Sequence, residues 1–285
     1  MIQPIRVNVD PTNPGQFFAC CGLLELADRL WPGAEGWFEG REFFVQRGGT
    51  LSELLAALAN ADLNSSLTDQ ELKRLATLLS AKKTKLSQAE TEEKLRLSAL
   101  WKRERVHLSK PFDLSIDWWF DEQTGGKAMK TWAAKQLVLE IARPMLRVVK
   151  TEYQSENISS DVLTRTAPVK GVPFYFDSHS NCQSTPRDTG FGLYTLRNDI
   201  DTQGNARPLL ELAAFLGIQR FRPAAKAAKR LLCFSLWPIP LPVAVAGVAA
   251  SGLLGLPGER RYGFRMLFRS EYMKAFLPAE PYQGA

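Results

Sequence analysis

Histidine is scarce in this chain: 285 residues hold two, His107 and His179, which excludes a histidine-rich metal cluster. Cysteine is nearly as rare. Cys20, Cys21, Cys182 and Cys233 include no Cys-x-x-Cys spacing, so neither a disulfide framework nor a zinc ribbon is expected. Free buried thiols in a reducing compartment are the plain reading. No Gly-x4-Gly-Lys-Ser/Thr loop is present to cradle a phosphate, and no Gly-x-Ser-x-Gly elbow to present a serine nucleophile. Gly190-Phe-Gly192 lacks the third glycine of a dinucleotide fingerprint and reads as a turn. There is no repeat of fixed period. The N-terminal MIQPIRVNVDP has no charged region ahead of an apolar core, so no signal peptide is expected.

Charge is absent from Leu231 to Gly258, a stretch long enough to cross a bilayer. Pro238, Pro240 and Pro242, followed by Gly247, Gly252, Gly255 and Gly258, would leave backbone groups unsatisfied in lipid. A buried strand, an extended proline turn and a short apolar helix fit this composition better. The expectation is therefore a cytoplasmic protein without a membrane span.

What is present is an ordinary globular composition, 45% hydrophobic and 23% charged, with a net charge of +6. A chain of this length can bury most of its apolar surface without disulfides or metal. Ile2–Val9 alternates as a strand and stops at DPTNPG. Thr12 or Asn13 can cap a helix that has Pro14 at its first position and runs to about Leu30. Short strands are expected around Gly36–Phe38 and Glu42–Gln46, and amphipathic helices over Thr50–Ala61 and Thr68–Lys82. Phe112–Trp119 alternates as a strand, and a helix is expected from about Ala128 to Val148, with Pro144 as a kink or an earlier end. Beyond Thr166 strand signals dominate: Val172–Phe176, Phe191–Leu196, Leu231–Trp237 and Tyr262–Phe268, with a helix over Arg207–Leu216.

The expected fold is α+β, with mixed or antiparallel sheets. Residues 1–165 form an N-terminal lobe with a basic helical insertion at about 50–110, and residues 166–285 a strand-rich C-terminal lobe. With no Pro/Ser-rich linker between them, the lobes should share a core. A ferredoxin-like element in the second half is considered by analogy alone.

Chemistry has few footholds. Ser178-His179-Ser180-Asn181-Cys182 sets hydroxyl, imidazole and thiol side by side, but successive side chains on an extended chain point to opposite faces, so a polar loop is preferred to a Cys/His nucleophile. Asp113, Asp117 and Asp121 could supply carboxylates for a metal-dependent nuclease. A solvated sheet face with Leu114, Ile116 and Trp118 inside explains them more simply. No metal site or cofactor is expected.

Polyanion binding has the better case. Lys82, Lys83, Lys85, Lys94, Arg96, Lys102, Arg103, Arg105 and Lys110 stand against Glu90, Glu92, Glu93 and Glu104, nine cations minus four anions, or +5 of the total +6. Trp101, beside Lys102-Arg103, would be available for stacking. A second cluster, Arg220, Arg222, Lys226, Lys229 and Arg230, spaces its cations so that 222, 226 and 229/230 would align along one helical face. Arg187 and Arg197 flank a glycine turn able to approach a backbone closely. Each cluster alone is equally consistent with a solvated face; two together point to phosphate contacts.

Four segments carry a resemblance: VDPTNPGQFFACCGLLELADRLWPGAEGWF near the N-terminus, PFDLSIDWWFDE…GGKAMKTWAAKQ in the middle, RPLLELAAFLGIQRFRP, and RYGFRMLFRSEYMKAFLPAEP at the C-terminal end. Together they resemble the smaller effector-complex protein of type I-U (I-G) CRISPR-Cas systems, a reduced counterpart of the large Cascade subunit. The resemblance spans nearly the whole chain without a catalytic signature. It implies a non-catalytic subunit of an RNA-guided surveillance complex in antiviral defence, contacting CRISPR RNA or target DNA and the neighbouring Cascade subunits. Such complexes leave sequence reading to base pairing, and their proteins grip backbone. Two other readings stay open: an RNA-processing or nuclease enzyme using His107 or His179 in a basic groove, and a purely structural interaction protein whose basic helices meet acidic partners.

Overall fold

A computed structural model describes residues 3–81, 85–103, 106–116, 131–132, 136–155, 158–171, 173–179, 203–226, 231–269 and 272–283. β1 (Ile5–Asn8) buries alternate side chains, as a half-covered strand must. Asn13 then caps α1 (Pro14–Leu30): its side chain accepts the Gly15 N–H, and Pro14 occupies the first turn. Every residue from Pro14 to Ala27 is buried, which marks α1 as a central helix rather than an amphipathic surface one. A hairpin follows, β2 (Glu35–Glu39) and β3 (Glu42–Gln46), turning at Gly40 with φ +56°. α2 (Leu51–Asn60), β4 (Leu63–Asn64), α3 (Asp69–Ser80) and α4 (Gln88–Arg103) make up the helical stretch. Thr50 with Glu53 and Thr68 with Glu71 form capping boxes at the starts of α2 and α3. β5 (Val106–Leu108) and β6 (Leu114–Ile116) pair with β4 into a three-stranded sheet.

β7 (Thr131–Trp132) and β8 (Gln136–Leu137) precede α5 (Val138–Glu152). The helix expected from about residue 128 therefore begins ten residues later. It also passes through Pro144 to end at Glu152. Ile141, Ala142, Met145, Leu146 and Val149 are all buried on one face, and this packing outweighs the hydrogen bond that the proline removes. β9 (Ala167–Lys170) pairs with β10 (Gln203–Ala206), after which α6 (Pro208–Gly217) is buried along its whole length. The strand expected over 172–176 is not formed at the described residues 173–176. Phe174 and Phe176 are fully buried there, but the Phe176 N–H bonds the Glu211 carboxyl instead of a neighbouring strand.

β11 (Ala224–Lys226), β12 (Leu231–Leu236), β13 (Leu241–Pro242), α7 (Val243–Ala250), β14 (Arg260–Arg269), β15 (Tyr272–Phe276) and β16 (Glu280–Pro281) complete the chain. The uncharged 231–258 stretch is thus a buried strand, a proline turn and an eight-residue helix. Among the described residues no helix is long and apolar enough to cross a membrane.

The fold is α+β, and every strand pairing in the described chain is antiparallel. A ferredoxin-like element keeps the two strands of each βαβ unit apart with another strand between them; β12 and β14, which flank α7, pair directly instead. One sheet has the order β1-β3-β2-β13 and a second β11-β12-β14-β15, with β16 on β14. α1 lies between them: Phe17 stacks on Phe38 of β2 at 5.5 Å and on Phe234 of β12 at 4.3 Å. The core is one cluster running through both halves of the chain. β13 even adds itself to the N-terminal sheet, and Trp237 donates its indole N–H to the Gly36 carbonyl at 2.7 Å.

Candidate functional site

The first basic cluster is divided by its surroundings. In the α3–α4 pair, Arg74 bonds Glu93 at 2.8 Å and lies 3.5 Å from Glu90, while Arg96 lies 3.9 Å from Glu71. Arg143 and Lys150 of α5 are likewise held by Asp69 and Asp62. Lys85, before α4, and Lys110, after β5, are exposed and have no ion pair with the described residues. Lys102 and Arg103 occupy the last turn of α4. Their side chains, like Lys82, Lys83 and Arg105 as a whole, lie outside the described residues. Trp101 is not available for stacking: it is 2% exposed and belongs to the core, since α4 needs one large apolar anchor to bind the body of the protein.

The second cluster is not a helical face. Ala224–Lys226 is strand β11, paired antiparallel with β12 so that Lys226 stands opposite Leu231, and Leu231 opposite Arg265 of β14. Pairing to β12 gives this short segment a full ladder, which a helix of the same length would not match. Arg222 and Arg265 are exposed. Arg265 was missed in the sequence because it lies 43 positions from Arg222 and only strand register relates the two regions. Arg220 is a structural residue: its guanidinium bonds the carboxylate of Glu25, which is 3% exposed on α1. Lys229, Arg230, Arg187 and Arg197 lie outside the described residues.

The two histidines sit in different settings. His107 is on the open face of the β4–β5–β6 sheet, between Asn64 and Ser115 in register, with Nε2 2.9 Å from Asp113. His179 faces a cavity of about 750 Å³. The walls are the end of β1 with Asn8 and Asp10, Gln16 of α1, the β2–β3 turn with Arg41, and Arg207 before α6.

The polar network behind this wall is the unusual part. Seven buried polar or charged residues are found among the described residues, and five of them, Asn13, Gln16, Asp177, Ser178 and Glu211, surround this one place. Buried polar groups are costly unless bonded, so their concentration marks a position held deliberately. The Asn13 amide oxygen accepts the N–H and hydroxyl of Ser178 as well as the Gly15 N–H, and its nitrogen donates to Asp177 at 2.7 Å. Asp177 also accepts from the His179 N–H at 3.1 Å and from Arg207. Glu211 accepts the N–H groups of Phe176 and Asp177. Gly15 lets this segment approach, because a Cβ there would stand 2.4 Å from the Phe176 carbonyl oxygen. Burial pushes the Glu211 carboxyl up to about 8, with the Asp177 charge adding to the effect against the backbone bonds it accepts.

At the rim, His179 lies with Nδ1 3.6 Å from Asp10 Oδ2 and Nε2 3.4 Å from the Thr12 hydroxyl. Burial raises the Asp10 carboxyl, but hydrogen bonds from the Thr12 hydroxyl and amide, with His179 and Arg41 nearby, bring it below its ordinary value. Carboxylate and hydroxyl stand at the two ring nitrogens as in a nucleophile relay, but at 3.6 and 3.4 Å both contacts are longer than the hydrogen bonds such a relay uses. Here the Thr12 hydroxyl donates to the same carboxylate at 2.8 Å, so the imidazole is not placed to take its proton. Among the described residues no three His, Cys, Asp or Glu side chains gather to hold a metal ion. No known protein family, curated protein or solved structure matches the chain.

Proposed function

We propose that this chain is a non-catalytic, nucleic-acid-binding subunit of a CRISPR RNA-guided surveillance complex. The observation that carries the binding half of the reading is the exposure of Lys85, Lys110 and Arg222 without ion pairs to the described residues, while Arg74, Arg96, Arg143, Lys150 and Arg220 are neutralised by carboxylates. Free lysine and arginine side chains gain by releasing condensed counterions from a phosphate backbone; paired ones do not. The assignment to a CRISPR assembly rests on the sequence resemblance. Membership of an assembly is supported by an apolar surface around α7, where Ile239, Val245, Val248, Leu253 and Leu254 are each 39% to 76% exposed.

The histidine-enzyme reading gains less. His107 stands on an open sheet face, and the Thr12 hydroxyl beside His179 donates to Asp10 rather than to the ring. The test of the proposal is binding of the purified chain to labelled single-stranded RNA, single-stranded DNA and duplex DNA at low salt. Saturable binding to at least one supports it. Failure to bind all three removes direct nucleic-acid contact and leaves the structural-subunit reading.

A further inference from the structure

The cavity at His179 is too polar and too well braced to be an incidental hollow. Its chemistry limits what could occupy it. Val9 is its one hydrophobic wall residue, and the rest of its apolar surface comes from the carbon stems of polar side chains, so polar groups surround any ligand held there. Both charge signs face it: Arg41 and Arg207 on one hand, Asp10, Glu39 and Glu42 on the other, with the His179 imidazole beside them. A run of phosphates would meet three carboxylates, and a simple cation would meet two guanidinium groups. What suits such a wall is a molecule with several hydroxyl groups and one anionic end. The volume of about 750 Å³ lies well inside the range of roughly 300–1,000 Å³ that holds nucleotide-sized ligands, and a free amino acid would leave most of it to water.

Gln16 adds an independent indication. Its side chain is 4% exposed and lines the cavity. Its amide oxygen accepts the Asp10 N–H at 2.7 Å, and its amide N–H groups have no acceptor among the described residues. Those N–H groups lie at the cavity wall, placed to donate to a molecule held within it. Along the exposed face of the adjoining sheet, Trp37 and Phe44 stack at 5.1 Å with an interplanar angle of 13°. Trp37 lies two residues from Glu39 and Phe44 two residues from Glu42, about 7 Å along the strands. That is within reach of a base attached to a sugar held in the cavity, and aromatic faces accept bases by stacking.

We propose that this cavity binds a phosphorylated ribose, either as a free ribonucleotide or as the 5′-terminal nucleotide of an RNA. Arg41 and His179 meet the phosphate, Asp10 and Gln16 meet the hydroxyls, and the Trp37–Phe44 pair receives the base, while Arg207 stays on Asp177. The RNA-borne form rests on the function proposed above; the free form does not.

The test is calorimetric titration of the full chain with AMP, UMP, ribose 5-phosphate, and one short RNA carrying either a 5′-phosphate or a 5′-hydroxyl. Saturable binding of a mononucleotide, weakened about tenfold or more in Arg41→Gln and in His179→Ala, is the expected result. Arg41 is exposed, so its variant stays folded and keeps the test readable if the other loses structure. Tighter binding of the 5′-phosphorylated RNA than of its 5′-hydroxyl form, lost in the same variants, identifies an RNA end as the source. Equal binding of the two RNAs beside saturable mononucleotide binding identifies the free form. Because Lys85→Gln, Lys110→Gln and Arg222→Gln lie outside the cavity, they leave mononucleotide binding unchanged, which separates this inference from the backbone contacts. No saturable binding of AMP, UMP or ribose 5-phosphate, or unchanged affinity in both cavity variants, overturns it.

Discussion

Gly22 of α1 and Gly217 of α6 face one another where the two central helices cross. A Cβ on Gly22 would stand 1.9 Å from the Ala213 carbonyl oxygen, and one on Gly217 2.0 Å from that of Phe18. Both neighbours are helix backbone, which cannot move aside as a side chain would. Gly22→Ala or Gly217→Ala is therefore expected to force the helices apart and to cost about 3 kcal/mol, the upper end of the overpacking range. Denaturant unfolding midpoints measure it; an unchanged midpoint in both variants contradicts the crossing.

The same helix pair carries a charge constraint. Arg220→Gln leaves Glu25, which is 3% exposed, with Arg29 at 3.1 Å as its one cation among the described residues. The variant should lose about 2 kcal/mol of stability, since a buried carboxylate keeps one cation of two. Its effect on nucleic-acid binding should be small beside that of Arg222→Gln. Equal losses of affinity in the two variants would show that Arg220 also reaches phosphate.

Glu211 gives the protein a pH dependence of definite sign. With its carboxyl pushed up to about 8 in the folded chain against an ordinary 4.5, the folded state holds a proton that the unfolded chain has released between those values. Stability is then greatest below about 4.5 on this account and falls as pH rises through 8. Unfolding free energies at pH 5 and pH 8 should show the decline, with a flatter profile in Glu211→Gln. A variant as steep as the wild type would place the effect elsewhere.

Asn13→Ala removes the cap of α1 and the partner of Ser178 together. A cap alone contributes about 1 kcal/mol, and the freed Ser178 groups add to that loss. Because the His179 N–H is held by Asp177, which Asn13 steadies, amide exchange at Ser178 and His179 should quicken more than at β12. Equal quickening at both places would mean global loosening rather than release of the network behind the cavity.

Much of the framework was legible in the chain. Asn13-Pro14 announced α1, apolar residues at three- and four-residue spacing after Thr50 and Thr68 announced α2 and α3, and the uncharged apolar run Leu231–Trp237 announced β12, because caps, spacing and apolar runs are local signals. Cations at 222 and 226 mimicked a helical stripe because three- and four-residue spacing is blind to a partner strand, and it was β12 that decided the outcome. Trp101 could be read as a stacking residue because burial in α4 depends on a distant core. The cavity was illegible for a stronger reason. Asn13 and Asp177 stand 164 positions apart, Glu211 lies a further 34 beyond Asp177, and each alone is an unremarkable polar residue.

The central claim is that exposed cations without ion pairs among the described residues grip a phosphate backbone, and a salt series tests it most directly. Binding to single-stranded RNA would be measured against salt for the wild type and for a variant carrying Lys85→Gln, Lys110→Gln and Arg222→Gln. The account predicts a steep fall of affinity with salt in the wild type and a slope shallower by about two units in the variant, near 0.7 for each lost phosphate contact. Identical slopes would contradict it.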